Sequence, residues 1–331
     1  MTDLATQIQA IRRSVALSSR GRDGLLRVEG PDAFDALDRL LPSELHVRNR
    51  GARPGLLLDD DGRIEADLVM LADGDDYVLL VEGLGAEAVI DRIRDATRPG
   101  EQVSARALDE HALLDLDGPY AWQVLGDLAG PATASLRFGS WYWMEPETLC
   151  LRAGQTGEYG YSFLLPRGKA EALRDRLLAA GQEADLVEAS AEALSHCRLE
   201  AWFFELARCP GACPLEWGLQ WRIQWDKPFR GEAALRARRG HTRAPAAFRA
   251  DAPVPAGAPV TLDGQRIGEV GASSHATGET IGVALLEAPF AASGVSAYEA
   301  LGVPLRTVSP PFVRYRSLTG LAGRARYVRE P

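Results

Sequence analysis

Lysine is nearly absent from this 331-residue chain. Arginine carries almost all of the basic charge, and the only lysines are Lys169 and Lys227. No apolar run approaches the roughly 20 residues that a membrane-spanning helix needs. The first residues, MTDLATQIQAIRRSVALSSR, lack the apolar core of a signal peptide. Cytoplasmic residence is the expectation. Cysteine is sparse: Cys150, Cys197, Cys209 and Cys213 read as free thiols rather than a disulfide framework. CPGAC places two of them in a CxxxC, a weak metal signal without a second pair. His46, His111, His196, His241 and His275 are scattered, and HExxH and HxH do not occur. No metal site is expected. P-loop, GxSxG and well-placed GxGxxG motifs are missing too, which removes the commonest nucleotide-binding and hydrolase readings. A net charge of −9 with interleaved signs gives no nucleic-acid surface. The one basic cluster, Arg236, Arg238, Arg239 and Arg243, reads as a solvated helix end.

What is present is an ordinary globular composition, 46% hydrophobic and 25% charged, with enough chain for a large core. Residues DLATQIQAIRRSVAL read as one helix, and DGLLRVE as a strand. Gly30-Pro31 then opens a helix, and the same Gly-Pro-helix step recurs at Gly118-Pro119. That echo suggests two similar lobes. Asp59-Asp60-Asp61-Gly62 is a hairpin turn leading into RIEADLVML. In that strand Ile64, Ala66, Leu68 and Met70 face one side, and Arg63, Glu65 and Asp67 the other. A helix is predicted from Ser190 to Ala207. Trp141, Tyr142 and Trp143 put aromatics on both faces of one strand, so one face meets an interface or pocket. After Arg243 an Ala/Pro-rich stretch leads to alternating strands, a small β-domain. The fold class is α+β, with residues 1–243 forming two lobes interleaved in sequence and 244–331 a C-terminal β-barrel.

Several stretches, in order along nearly the whole chain, resemble the aminomethyltransferase family, which includes the T-protein of the glycine cleavage system. They are EGPDAFDAL, LLLDDDGRIEADLVM, YVLLVEG, LLDLDGPYAWQVLG, RAGQTGEYGYSFLLP, RLEAWFFELARCPGACPLEWGLQW, DKPFRGEAAL, and IGEVGASS with IGVALLE and SPPFV. The resemblance implies a three-domain cloverleaf around a central channel, tetrahydrofolate as cofactor, and one-carbon transfer to or from it. Asp67 aligns with the family's catalytic aspartate, and Ala66 replaces the residue before it. The resemblance also implies cofactor-binding roles for Tyr77, Glu82, Tyr159, Ser162, Arg198, Trp217, Trp221 and Lys227. Two positions depart. Ser162 stands where the family's glutamate grips the pterin edge, and Leu194 where an arginine is expected. Glu158 reads as a turn or cap residue, and Arg198 with Glu200 as an ion pair across the lobes. Trp217 stands at a small-residue position and either narrows the channel or stacks on a substrate; at such spacing Trp217, Trp221 and Trp225 also read as core. The cysteine of the iron–sulfur-assembly branch is missing from KPFRGEA.

The implied activity is a tetrahydrofolate-dependent transferase acting on a small amine, methyl ether or methylated acid. One alternative is an enzyme on the same scaffold that has lost folate and performs a condensation or rearrangement. Another is a non-catalytic folate-binding or assembly protein. A small-molecule substrate is expected, with no nucleic-acid or membrane partner.

Overall fold

The computed structural model describes residues 2–19, 21, 23–206, 209, 211–240, 242–319 and 325–329. His241 and Ala207, the latter the expected end of a helix, lie outside them. The chain opens with α1 (Leu4–Arg13), whose N-terminus is capped by Asp3, its carboxylate accepting from the Thr6 N–H at 3.0 Å. The helix stops at Ser14, and Ala16–Ser18 form a short strand, β1. The sequence reads Ala16 and Leu17 as more helix. Three residues are too few to show a period, and their strand state comes from partners on both sides.

The first lobe follows: β2 (Gly24–Glu29), α2 (Ala33–Leu40), β3 (Ala52–Leu58), β4 (Ile64–Asp73), β5 (Asp76–Glu82), α3 (Ala86–Ala96) and β6 (Ser104–Ala107). Its sheet runs β3-β4-β5-β2-β6. The second lobe has β7 (His111–Asp117), α4 (Ala121–Ala129), β8 (Ser140–Glu145), β9 (Thr148–Arg152), β10 (Gly160–Pro166), α5 (Arg167–Ala180), β11 (Val187–Ala189) and α6 (Ala191–Glu200). Its sheet runs β11-β1-β7-β10-β9-β8, so the N-terminal strand is built into the second lobe. After α7 (Glu232–Ala237), six strands close a barrel: β12 (Arg243–Ala250), β13 (Pro259–Leu262), β14 (Gln265–Ser274), β15 (Thr280–Glu287), β16 (Tyr298–Ala300) and β17 (Val303–Val308). A one-turn helix, α8 (Arg316–Thr319), follows. The α+β class and the C-terminal barrel are as expected. Among the described residues no helix is long and apolar enough to cross a membrane.

The Gly-Pro echo has a common cause. Gly30 and Gly118 each leave a strand at positive φ, +119° and +140°. A Cβ on Gly30 would lie 2.2 Å from the Gln102 carbonyl oxygen, and one on Gly118 2.4 Å from that of Ser14. Only glycine fits both the conformation and the space.

Ala66, Leu68 and Met70 of β4 face the core of the first lobe, under α2 and α3. The opposite face meets the second lobe. Leu71, Val78 and Leu80 pack there on Leu113, Leu149, Leu151, Leu164 and Trp141. Trp141 is buried and its Nε1–H donates across the lobes to the Ala72 carbonyl at 3.1 Å. Tyr142 is half-buried and Trp143 exposed. The expected aromatic interface is therefore the lobe–lobe contact.

The helix α6 is buried over most of its surface although half of its residues are polar. It ties the three parts together. His196 Nδ1 meets Ser274 Oγ of the barrel at 2.8 Å. Arg12 of α1 donates to Glu200 at 2.8 Å and to the Cys197 carbonyl at 2.7 Å. Arg198 reaches the first lobe.

Candidate active site

Asp67 on β4 and Glu82 on β5 are directly opposed in the strand register. Both are buried. Two carboxylates so placed repel each other unless each meets a cation. Arg222 Nη1 donates to Asp67 Oδ1 at 2.8 Å. Arg198 Nη2 donates to Glu82 Oε2 at 3.1 Å, and its Nη1 to Glu205 Oε1 at 3.0 Å. Burial pulls the Arg198 guanidinium below its ordinary pKa, against the opposing pull of Glu205, Asp67, Asp115 and Asp117. Such buried ion pairs add little net stability, because desolvation offsets the attraction. What they fix is position.

The second lobe faces this cluster with β7. Asp115 and Asp117 alternate onto one face of the strand. Ser162 of β10 is the cross-strand partner of Asp115, and its hydroxyl donates to the Asp115 carboxylate. Asp115, Asp117, Gln155, Ser162, Leu194 and Arg198 line a recess of about 20 Å³, room for one water-sized group. Asp117 is pushed up to about 7, first by burial and then by the Asp115 charge, with a 3.2 Å hydrogen bond from Thr156 Oγ1 opposing. Near neutrality Asp117 is therefore partly protonated beside Asp115.

Asp67, Glu82, Ser162 and Arg198 are thus brought together. The other residues named from sequence go elsewhere. Tyr77 pairs with Ala72 at the far end of the β4–β5 ladder and packs into the first-lobe core. Tyr159 lies against the second-lobe core with the Arg152 guanidinium 4.8 Å from its ring centroid. Trp217 is 4% exposed and belongs to the core between the lobes and the barrel. It lines, with Glu216, Arg243 and Gly271, a cavity of about 400 Å³ against the barrel. Trp221 is 65% exposed, which excludes a core role for it. Lys227 closes the end of α2: its Nζ donates to the carbonyls of Asp38 and Leu41 at 2.6 and 2.7 Å and to Asp38 Oδ1 at 2.9 Å. All three ammonium donors are used there. Glu158 is a cap, accepting from the Arg316 and Ser317 N–H groups at 3.0 and 2.8 Å. Arg198 and Glu200 do not pair with each other; each reaches a separate element.

The position of Trp217 has a local reason. A Cβ on Gly271 of β14 would lie 2.6 Å from the Trp217 ring, so the indole fills the space that glycine leaves. Gly271→Ala is expected to cost about 1–3 kcal/mol by overpacking. Most of that should disappear when Trp217→Leu is added, a coupling that urea midpoints of the double-mutant cycle would read.

Arg222, Asp115, Asp117 and Glu205 escape the sequence reading. The signal available was the alternation in LLDLDG, which sets two acids on one face of an otherwise apolar strand. Among the described residues no cluster of His, Cys, Asp and Glu could hold a metal ion, and the four cysteines are free.

A family model described as the GCVT N-terminal domain matches residues 2–227. The aminomethyltransferase of Prochlorococcus marinus (strain MIT 9303) is 29% identical, over 96% of this chain and 91% of that protein. The aminomethyltransferases of Halothermothrix orenii and Parasynechococcus marenigrum are 28% and 32% identical, over 60% and 54% of this chain. The chain spans about half the length of those two relatives, 57% and 52%. The crystal structure of glycine cleavage system aminomethyltransferase T from Bartonella henselae superposes with a TM-score of 0.85 at 25% identity, covering 94% of this chain and 90% of that one. The three-part architecture and the matched residues agree: the chain is a member of the aminomethyltransferase family.

Proposed function

We propose that this protein is a cytoplasmic one-carbon transferase that uses tetrahydrofolate and a small amine, methyl ether or methylated acid, with Asp67 as its key carboxylate. The observation that carries the reading is the meeting of Asp67, Glu82, Arg198 and Arg222 in one buried cluster drawn from the first lobe, α6 and the segment before α7.

The residues present fit the cofactor. A pterin edge offers N–H and NH₂ donors, and the recess offers carboxylates of water-sized reach. The acceptor that Ser162 cannot provide stands one strand away, at Asp115. Leu194 has no charge to offer, but Arg198, one helical turn on, lines the same recess. Asp115, Asp117 and Arg198 would hold the ring edge. Bound tetrahydrofolate would supply the nitrogen that takes or gives the one-carbon unit. Asp67 sits where a carboxylate favours a cationic nitrogen, and burial strengthens that interaction. The Arg222 contact holds the Asp67 carboxylate in one orientation.

Addition of tetrahydrofolate or a 5-substituted derivative is expected to raise the melting temperature, because a ligand at a hundred times its Kd stabilises the fold by about 2.7 kcal/mol. Absence of any shift at millimolar concentration would count against the assignment.

A further inference from the structure

Strict alternation from Val270, a residue of the barrel core, would point Ser274 of β14 into the barrel as well. The strand pairing prevents this. Val270 is opposite Ala284, but Ala272 is opposite Val283 and Ser274 opposite Ile281, so Gly271 is an extra residue, a bulge. Val270 and Ala284 lie in the barrel core, whereas Ala272, Val283 and Ile281 pack in the core shared with the lobes. The bulge therefore turns Ser274 outward, onto α6. There His196 Nδ1 lies 2.8 Å from Ser274 Oγ. The other ring nitrogen, Nε2, lies 3.5 Å from Glu200 Oε1, one turn along the same helix.

The hydrogens of this chain of groups can be placed. Glu200 has two oxygens and two partners: Oε2 accepts from Arg12 Nε at 2.8 Å, and Oε1 faces His196. Burial pushes the Glu200 carboxyl up, but the contacts with His196 and Arg12 outweigh it and hold the group below its ordinary range, as an anion. A carboxylate there favours the imidazole tautomer with its hydrogen on Nε2. Nδ1 then carries the lone pair, and the Ser274 hydroxyl donates to it. A serine with a base on its hydroxyl and a carboxylate behind that base is arranged as a nucleophile. Ser274 is half-buried, and with His196 it lines a cavity of about 530 Å³ that α6 and the barrel share. Leu199, Phe203 and Phe204 form its apolar wall, and Glu192 and Glu205 add acids. This cavity has no lining residue in common with the recess at Asp115.

We propose that Ser274, His196 and Glu200 form a second reactive site, an acyl-transfer triad that takes small uncharged carboxylic esters. In the first step Ser274 Oγ bonds to the ester carbonyl carbon, the C=O π pair moves onto oxygen, and the hydroxyl proton passes to His196 Nδ1. The pair on oxygen then returns, the ester C–O bond breaks, and the leaving alkoxide takes the proton from His196. Water attacks the acyl-serine by the same route, giving up a proton to His196, and releases the carboxylic acid with Ser274 restored. Glu200 pairs with the imidazolium formed on the way. Glu192 and Glu205 disfavour anionic substrates. Folate has no part in these steps, so this site and the transferase reading stand or fall separately.

The test treats the full chain with diisopropyl fluorophosphate. Ser274 Oγ would form a bond to phosphorus as the P–F bond breaks, with fluoride leaving and His196 taking the proton. Intact mass should rise by one diisopropylphosphoryl group, and peptide mapping should place it on Ser274. Ser274→Ala should abolish the adduct. Ser273→Ala, one residue away, removes a hydroxyl that donates to the Val254 carbonyl and should leave labelling intact. His196→Asn should slow labelling by about 10²–10⁴-fold, the usual worth of a general base. Turnover of p-nitrophenyl acetate above the uncatalysed rate should be lost in Ser274→Ala. An unlabelled wild type, an adduct on another residue, turnover unchanged by Ser274→Ala or a His196→Asn variant labelled at the wild-type rate would overturn the assignment. Should His196→Asn fail to fold, wild type against Ser274→Ala decides alone.

Discussion

Asp67→Asn is expected to lower one-carbon transfer by about 10²–10⁴-fold while the protein stays folded. The asparagine Oδ1 can still accept from Arg222 Nη1, so the 2.8 Å contact survives. What disappears is the negative charge to which the proposed function assigns the substrate nitrogen. In a buried, low-dielectric cluster that charge is worth far more than on a surface. Asp67→Ala is a different experiment. It leaves Arg222 buried without its carboxylate, which typically costs about 3–5 kcal/mol, so any loss of activity would mix chemistry with unfolding. Comparing kcat of wild type and Asp67→Asn at matched melting temperature separates the two. Activity within about threefold of wild type would exclude Asp67 from the chemistry.

Much of the fold was legible because its signals are local. The alternation from Ala66 to Met70 turned Ala66 inward as read, whereas Ile64, read onto the same face, packs with Leu56 and Leu58 in the other core beyond a register shift; the Gly-Pro steps marked both strand-to-helix turns. The strand β1 was not legible, since Ala16–Ser18 are held by β7 and β11, which lie about a hundred or more residues away. Site residues divide in the same way. Asp67 and Glu82 lie on a hairpin whose register follows from its turn, and they meet. Trp217 and Lys227 occupy motif positions whose use depends on long-range neighbours, Gly271 for one and the end of α2 for the other. Ser162 reads as a deletion of function until its cross-strand partner is known. Register across a sheet is tertiary information, and Asp115 comes into view as the neighbour of Ser162 only once β7 and β10 are paired. Arg222 follows an exposed tryptophan in WRIQW, and nothing in that spacing says that the arginine turns inward.

A second large effect should appear in the pH dependence of stability. The Asp117 carboxyl, ordinarily at 3.8, is pushed up to about 7 in the fold. Between those values the folded protein holds a proton that the unfolded chain has already released. The native state binds more protons, so stability contributed at this site falls as pH rises from about 4 to about 7 and is level above. The span corresponds to about 4 kcal/mol as an upper bound. Asp117→Asn carries no such titration, and its Oδ1 can keep the hydrogen bond from Thr156. Measured as urea midpoints, the variant should gain on wild type steadily from pH 4.5 to pH 7.5, with all other groups cancelling in the difference. Asp115→Asn should move the window to lower pH, because it removes the neighbouring charge that helps hold the Asp117 proton. Parallel stability curves for wild type and Asp117→Asn would mean that this carboxyl is ionised throughout. The recess would then present two anions, both able to accept from the donors of a pterin edge.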